Sequence, residues 1–217
     1  MSTLQSRAVD LHKRVPRDHY ARSIKQSFLH RFWHTTRFAQ IGQMVEATGG
    51  KVLDIGSADG TFTRVLAEKS NADKVVGIDL LERSVSYAKR RFARSKVVSF
   101  KVADAHNLPF PDKTFDGVFC LETMEHVEEP IKVAEEIHRV LKDDGYSVVL
   151  VPNENLLFKV GWFGWELGPG SMWKGTHIQD LSAEEIIQIL KIAKFKIKEK
   201  KLFMLGMLQA VKVVKTK

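Results

Sequence analysis

The stretch that decides the fold is Lys51-Val52-Leu53-Asp54-Ile55-Gly56-Ser57-Ala58-Asp59-Gly60. Val52, Leu53 and Ile55, with only Asp54 between them, suit a strand covered on both faces, as parallel strands are. Gly56 and Gly60 supply the backbone freedom of a sharp turn from strand into helix. Amides at the start of such a helix point outward and can meet a ligand. This segment therefore predicts a strand, a turn and a helix at the entrance to a parallel α/β sheet, with a ligand beside the turn.

Upstream, apolar residues recur at helical spacing between Pro16 and Thr48: Tyr20, Ile24, Phe28, Phe32, Phe38, Ile41, Met44 and Val45. They predict one long helix, or two with a break near Thr35-Thr36, stopped by Gly49-Gly50. Downstream, an alternation begins. Helices are predicted over 61–70, 82–93 and 130–142, and strands over 74–79, 97–104, 116–122 and 146–151. The pattern breaks at Pro152, and residues 152–180 hold three of the four tryptophans and five glycines. Ser182-Ala183-Glu184-Glu185 reads as a capping box that starts another helix. Two strands follow, over 195–203 and 208–215. The whole predicts one domain, 1–217: a doubly wound, mostly parallel, seven-stranded Rossmann-like α/β sheet. Residues 1–48 form a helical cover and 154–180 an insert on the substrate side.

Composition narrows the classes. Of 217 residues, 44% are apolar and 28% charged, as in globular proteins. No apolar run approaches the roughly 18 residues of a membrane span, and no signal-peptide core follows the basic N-terminus. The single cysteine, Cys120, excludes an internal disulfide framework and fits a reducing, cytoplasmic setting; its apolar neighbours predict a buried thiol. The net charge of +8 is segregated: +6 over 1–40, −6 over 41–190 and +8 over 191–217. Basic flanks attract nucleic acid or anionic lipid, or simply keep a surface solvated. No single basic block dominates, which favours the solvated surface.

In an open α/β sheet, ligands bind beyond the carboxyl ends of the strands. Asp79, Asp104 and Glu122 stand at such ends, with Asp54 just before its turn. Asp79 is placed to accept from both hydroxyls of a ribose, as in nicotinamide-binding folds. The turn differs from those folds, because it offers Gly56-x-x-x-Gly60 where the dinucleotide fingerprint is G-x-G-x-x-G. A pyrophosphate is disfavoured beside Asp54 and Asp59, whereas an ammonium and a sulfonium are suited to them. Asp59 has a second reading, as the cap of the helix that follows.

Four segments carry a family resemblance: Val-Leu-Asp-Ile-Gly-Ser-Ala-Asp-Gly (52–60), Val-Val-Gly-Ile-Asp-Leu (75–80), Val-Ala-Asp-Ala-His-Asn-Leu-Pro-Phe (102–110) and Phe-Asp-Gly-Val-Phe-Cys-Leu-Glu-Thr-Met-Glu-His-Val (115–127). In this order they resemble the class I S-adenosylmethionine-dependent methyltransferases, in their small-molecule branch. The resemblance implies S-adenosyl-L-methionine as cofactor. It assigns the methionine ammonium to Asp54, and the methionine part to the amides of Gly56, Ser57 and Ala58 in the turn closed by Gly60. The ribose falls to Asp79, the adenine to Leu80, Asp104 and the amide of Ala105, and the sulfonium end to Leu121. Arg37 is a candidate for the methionine carboxylate, or else an exposed helix charge. Ala58 departs from the family, which usually has glycine there; alanine keeps the turn if its φ is negative.

Glu122-x-x-Glu125-His126, followed later by Lys174-Gly175-Thr176-His177, resembles the ubiquinone-pathway O-methyltransferases and the metal-dependent enzymes that methylate small RNAs. The resemblance implies Mg²⁺ or Mn²⁺ on Glu122, Glu125, His126 and His177, lowering the pKa of an acceptor hydroxyl. Without a metal, His126 is a general base beside Glu125, or a structural residue. Trp162, Trp165 and Trp173 of the insert, with His177 and Trp33, are candidates for a wall around an apolar or lipid-like acceptor. That acceptor implies peripheral contact with a membrane. The expected function is methyl transfer to a small or lipid-like molecule, at oxygen. Its rivals are an RNA methyltransferase, which would lack a separate RNA-binding module here, and a non-catalytic S-adenosylmethionine-binding protein.

Overall fold

A computed structural model describes residues 15–26, 28–153, 178 and 181–216. Two helices lead, α1 (His19–Gln26) and α2 (Phe28–Met44). The alternating part follows as β1 (Lys51–Ile55), α3 (Thr61–Ser70), β2 (Lys74–Asp79), α4 (Glu82–Arg91), β3 (Val98–Val102), β4 (Phe115–Leu121), α5 (Pro130–Val140) and β5 (Leu141–Pro152). The chain closes with α6 (Ala183–Ile192), β6 (Phe195–Phe203) and β7 (Leu208–Lys215).

Every residue of β1 after Lys51 is buried, because strands and helices enclose it on all sides. It pairs in parallel with β2 (Leu53 opposite Val76) and with β4 (Leu53 opposite Val118). The seven-stranded order is β3-β2-β1-β4-β5-β7-β6, and only β7 runs antiparallel to its neighbours. The order reverses direction at β1, so the carboxyl ends of β1, β2 and β4 flank a crevice.

Strand period two sorts the core. Leu53, Ile55, Val118, Cys120, Val149 and Val151 face one layer, where Ile137 of α5 and Ile186 and Leu190 of α6 cover them. Val52, Phe119, Leu121, Val148 and Leu150 face the other, under Ile41 and Met44 of α2 and Leu66 of α3. Cys120 is buried with a free thiol, and burial pushes its pKa far up. No helix among the described residues is long and apolar enough to cross a membrane.

Several boundaries differ from expectation. The first two helices meet around residue 27, and Thr35-Thr36 lie within α2, where Thr35 Oγ1 donates back to the Arg31 carbonyl at 2.8 Å. Phe28 and Phe32, two of the apolar residues at helical spacing, are 77% and 51% exposed. Helix α5 stops at Val140 because Leu141 already pairs with Phe115, across a register irregularity before Gly117. Strand β3 is shorter than predicted at both ends.

The capping box at Ser182 is present in full. Its hydroxyl accepts from the Glu185 amide at 3.2 Å, and Glu185 Oε2 accepts from the Ser182 amide at 2.8 Å. Since α6 closes one core layer, Ser182→Ala is expected to cost about 1 kcal/mol. Thermal unfolding should show a Tm lower by about 2–4 °C.

Candidate functional site

The crevice beyond β1, β2 and β4 is an open cleft at the carboxyl ends of the strands. Ile55, Gly56, Ala58, Asp59, Asp79, Leu80, Asp104, Ala105, Glu122 and His126 all line it. The strand-end acids and the turn, from four separate segments, thus meet in one cleft.

The turn is built from within. Gly56 and Ser57 both donate their amides to the Ile78 carbonyl at 2.9 Å, and the Ala58 amide donates to Asp79 Oδ2 at 3.0 Å. A side chain at Gly56 would strike Thr123 Oγ1 at 2.1 Å, and its φ of +74° is left-handed. Gly60 also needs its freedom: φ is +79°, and a Cβ would meet the Phe100 ring at 2.7 Å. Ala58 carries φ +45°, so the condition of a negative φ is not met, and the turn is kept with left-handed backbone at an alanine. Left-handed backbone on a residue with a Cβ costs about 1 kcal/mol or more. The three amides assigned to the methionine part are therefore spent inside the protein.

Asp59 fulfils the capping reading, and more. It is 1% exposed. Its Oδ1 accepts from the Thr61 amide at 3.0 Å and the Thr61 hydroxyl at 2.6 Å. Its Oδ2 accepts from the Ala21 amide at 2.8 Å, in the first turn of α1. One carboxylate thus satisfies donors at the start of two helices. This bond, and one of 2.5 Å from Arg83 to the Val15 carbonyl, hold the leading segment over the cleft, which Val15, His19 and Tyr20 also line. Sequence reasoning did not find these cover residues, since no motif marks them.

Asp79 Oδ1 accepts from the Leu81 amide at 2.8 Å, which, with the Ala58 bond, locks its carboxylate at the cleft floor. Asp104 Oδ1 accepts from the His106 amide at 2.9 Å and lies 2.8 Å from the His106 ring Nδ1. Both carboxylates line the cleft.

Asp54 is 1% exposed, and its Oδ2 accepts from Thr63 Oγ1 at 2.6 Å. Burial pushes its pKa up to about 7, against the pull of the Thr63 bond and with help from the Asp79 charge. With Ser57 and Leu121 it lines a second hollow beside the main cleft, roughly of one water's size.

Arg37 is not the exposed helix charge that was one reading of it; it is 3% exposed. Its guanidinium donates to Glu122 Oε2 and, at 2.6 Å, to His34 Nδ1. Since arginine only donates, His34 carries its proton on Nε2, which donates to Ser23 Oγ at 2.7 Å. Burial and the Arg37 charge hold the His34 pKa down to about 3, so the ring stays neutral.

The divalent-ion site is not assembled among the described residues: no three His, Cys, Asp or Glu come together as metal ligands. Glu122 is turned to Arg37, Glu125 is 2% exposed, and His177 lies outside the described residues. Trp162, Trp165 and Trp173 lie outside them too. Trp33 packs with the α2 side of the core and against Arg37, and is absent from the cleft lining. His126 reaches the cleft from a 3₁₀ turn, Met124–His126.

Residues 53–149 match the family described as a methyltransferase domain. A demethylmenaquinone methyltransferase of Symbiobacterium thermophilum is 35% identical over 106 residues, covering 47% of this chain and 42% of that protein. The chain thus spans less than half the length of that relative. The ubiquinone/menaquinone biosynthesis C-methyltransferase UbiE of Desulfotalea psychrophila is 28% identical over 173 residues, covering 72% of this chain and 70% of its own. In fold, a SAM-dependent methyltransferase of Aquifex aeolicus superposes with a TM-score of 0.64 at 19% identity, covering 95% of this chain and 97% of that one. The stretch 53–149 matches a methyltransferase domain, and the seven-stranded sheet is the fold shared with that solved methyltransferase.

The raised Asp54 pKa has a definite sign. Between its unfolded value near 3.8 and about 7, the folded state holds a proton that the unfolded state has lost, so this term erodes stability as pH rises. Asp54→Asn is expected to leave stability at pH 4 nearly unchanged and to raise it at pH 8 by roughly 2–4 kcal/mol. Urea unfolding of both proteins across this range would measure it.

Proposed function

We propose that the chain transfers a methyl group from S-adenosylmethionine to a small, apolar, lipid-like acceptor. The observation that carries this reading is the turn, whose Gly56, Ser57 and Ala58 amides are all satisfied by Ile78 and Asp79. A pyrophosphate needs such amides; a cationic cofactor needs the carboxylates that this cleft has instead. Asp79 suits the ribose hydroxyls, Leu80 the adenine face, and Asp104 with the Ala105 amide the adenine edge. The cofactor supplies an already activated methyl group, so the chain's task is alignment and, for a weak nucleophile, removal of a proton.

His126, on the cleft wall, is the candidate base for an acceptor hydroxyl. Oxygen is the acceptor atom we assign first. An aromatic or enolic acceptor that loses the same proton also exposes a nucleophilic carbon. The relatives' names, a demethylmenaquinone methyltransferase and a C-methyltransferase, lend weight to an acceptor of that aromatic kind. A lipid-like acceptor brings the protein to a membrane surface, and the exposed Lys196, Lys198 and Lys200 along the edge strand β6 suit an anionic one.

The test uses methyl-labelled cofactor with a panel of apolar phenols and quinols. Label should enter the solvent-extractable fraction, with the methyl position read by mass spectrometry. His126→Ala should lower kcat about a hundredfold while cofactor affinity is kept. Binding of the cofactor without transfer to any acceptor would favour the non-catalytic reading; no binding at all would overturn the proposal.

A further inference from the structure

We infer that Glu122, aimed by Arg37, is the group that takes the α-ammonium of the cofactor's amino-acid end. This rests on the cofactor reading above and changes the residue assigned to that charge, from Asp54 to Glu122.

The backbone is the first observation. Glu122 follows the last residue of β4 with φ +53°, a left-handed conformation uncommon for a residue with a long side chain. Its amide donates to the Leu150 carbonyl at 2.8 Å, which fixes the chain in that shape. Such conformations persist only where the surroundings over-determine them, and they gather at ligand sites. The consequence here is direction: the side chain leaves the sheet toward the cleft, which Glu122 lines.

Arg37 supplies the second. Its guanidinium bonds Glu122 Oε2 and is itself immobilised by His34 and by the rings of Tyr20, Trp33 and Phe62, at 5.6–5.9 Å. A neutral His34 presents only a lone pair to it. The bond from Arg37 fixes one oxygen of Glu122. The other oxygen, Oε1, receives no hydrogen bond from any described residue. The cleft is thus presented with a positioned anion that keeps one acceptor oxygen in reserve.

Asp54 offers less to the same ligand. It is 1% exposed, bonded to Thr63, and lines the small side hollow rather than the main cleft. Any contact of Asp54 with an ammonium in the cleft runs through the space of one water. Glu122 is on the wall itself, with a side chain 12% exposed against 4% for that of Arg37. In this assignment Glu122 touches the ligand and Arg37 is a positioning residue.

The test is the affinity ratio between S-adenosylhomocysteine and its analogue lacking only the α-amino group, by calorimetry. The wild type should favour S-adenosylhomocysteine by tenfold or more, as expected of a hydrogen bond between charged groups. In Glu122→Gln the ratio should fall to near one, with the analogue bound about as well as by the wild type. Glu122→Gln strands the buried Arg37 charge, so Arg37→Gln/Glu122→Gln is measured beside it and should show the same collapse. Arg37→Gln alone keeps the carboxylate but loosens it, and should give an intermediate ratio. An unchanged ratio in Glu122→Gln or in the double variant would overturn the inference. Failure of the wild type to bind either ligand would instead refute the cofactor reading on which it stands.

Discussion

The carboxylate of Asp59 is where cover, turn and sheet are joined. It accepts from Thr61 at the start of α3 and from Ala21 in α1, 38 residues upstream. Arg91 of α4, 3.5 Å from Oδ1, also bonds the Thr61 hydroxyl and so ties a third helix to the same point. A buried anion that satisfies several donors otherwise left over at helix starts is costly to disturb. Because α1 depends on it, the cleft has a wall on its open side as well as a floor of strand ends. The Asp59 bonds, with that from Arg83 to the Val15 carbonyl, thus tie the cover to the cleft.

The chemistry of the cleft follows from a similar economy. The turn after β1 spends its amides on Ile78 and Asp79, which gives a rigid corner with little to offer an anion. What remains along the cleft is carboxylate: Asp79, held on both oxygens by backbone amides, Asp104, held on one oxygen by the His106 amide and ring, and Glu122, held on one oxygen by Arg37. Preorganised acceptors of this kind favour a ligand with hydroxyls, an amino group and positive charge. Ala58 is a local cost of this arrangement, since its left-handed φ is one that glycine would adopt without strain.

Most of the architecture was legible in the sequence because strands and helices here keep their own periods. The fully apolar Val52-Leu53, the stripe Ile186, Ile189 and Leu190, and the box at Ser182–Glu185 each predict a local state that packing then agrees with. The misses lie where tertiary contacts decide. The end of α5 depends on Leu141 pairing with Phe115, and the exposure of Phe28 and Phe32 depends on which face of α2 meets the sheet. In the site, acids at strand ends were legible because topology alone gathers them. The pairing of Arg37 with Glu122 was not, since 85 residues separate them and neither belongs to a motif that names the other. The resemblance placed Glu122 with Glu125, His126 and His177 as metal ligands; among the described residues no such cluster forms, and His177 lies outside them.

Methyl transfer from a sulfonium asks a protein chiefly for orientation, and in the function proposed above the cleft's locked carboxylates are the groups that would provide it. The most direct measurement is a crystal structure of the protein with S-adenosylhomocysteine bound. The account predicts the ribose hydroxyls on Asp79, the adenine between Leu80 and Asp104, and the amino-acid end running past Gly56 toward Glu122. A ligand lying elsewhere, or one whose ribose makes no contact with Asp79, would contradict it.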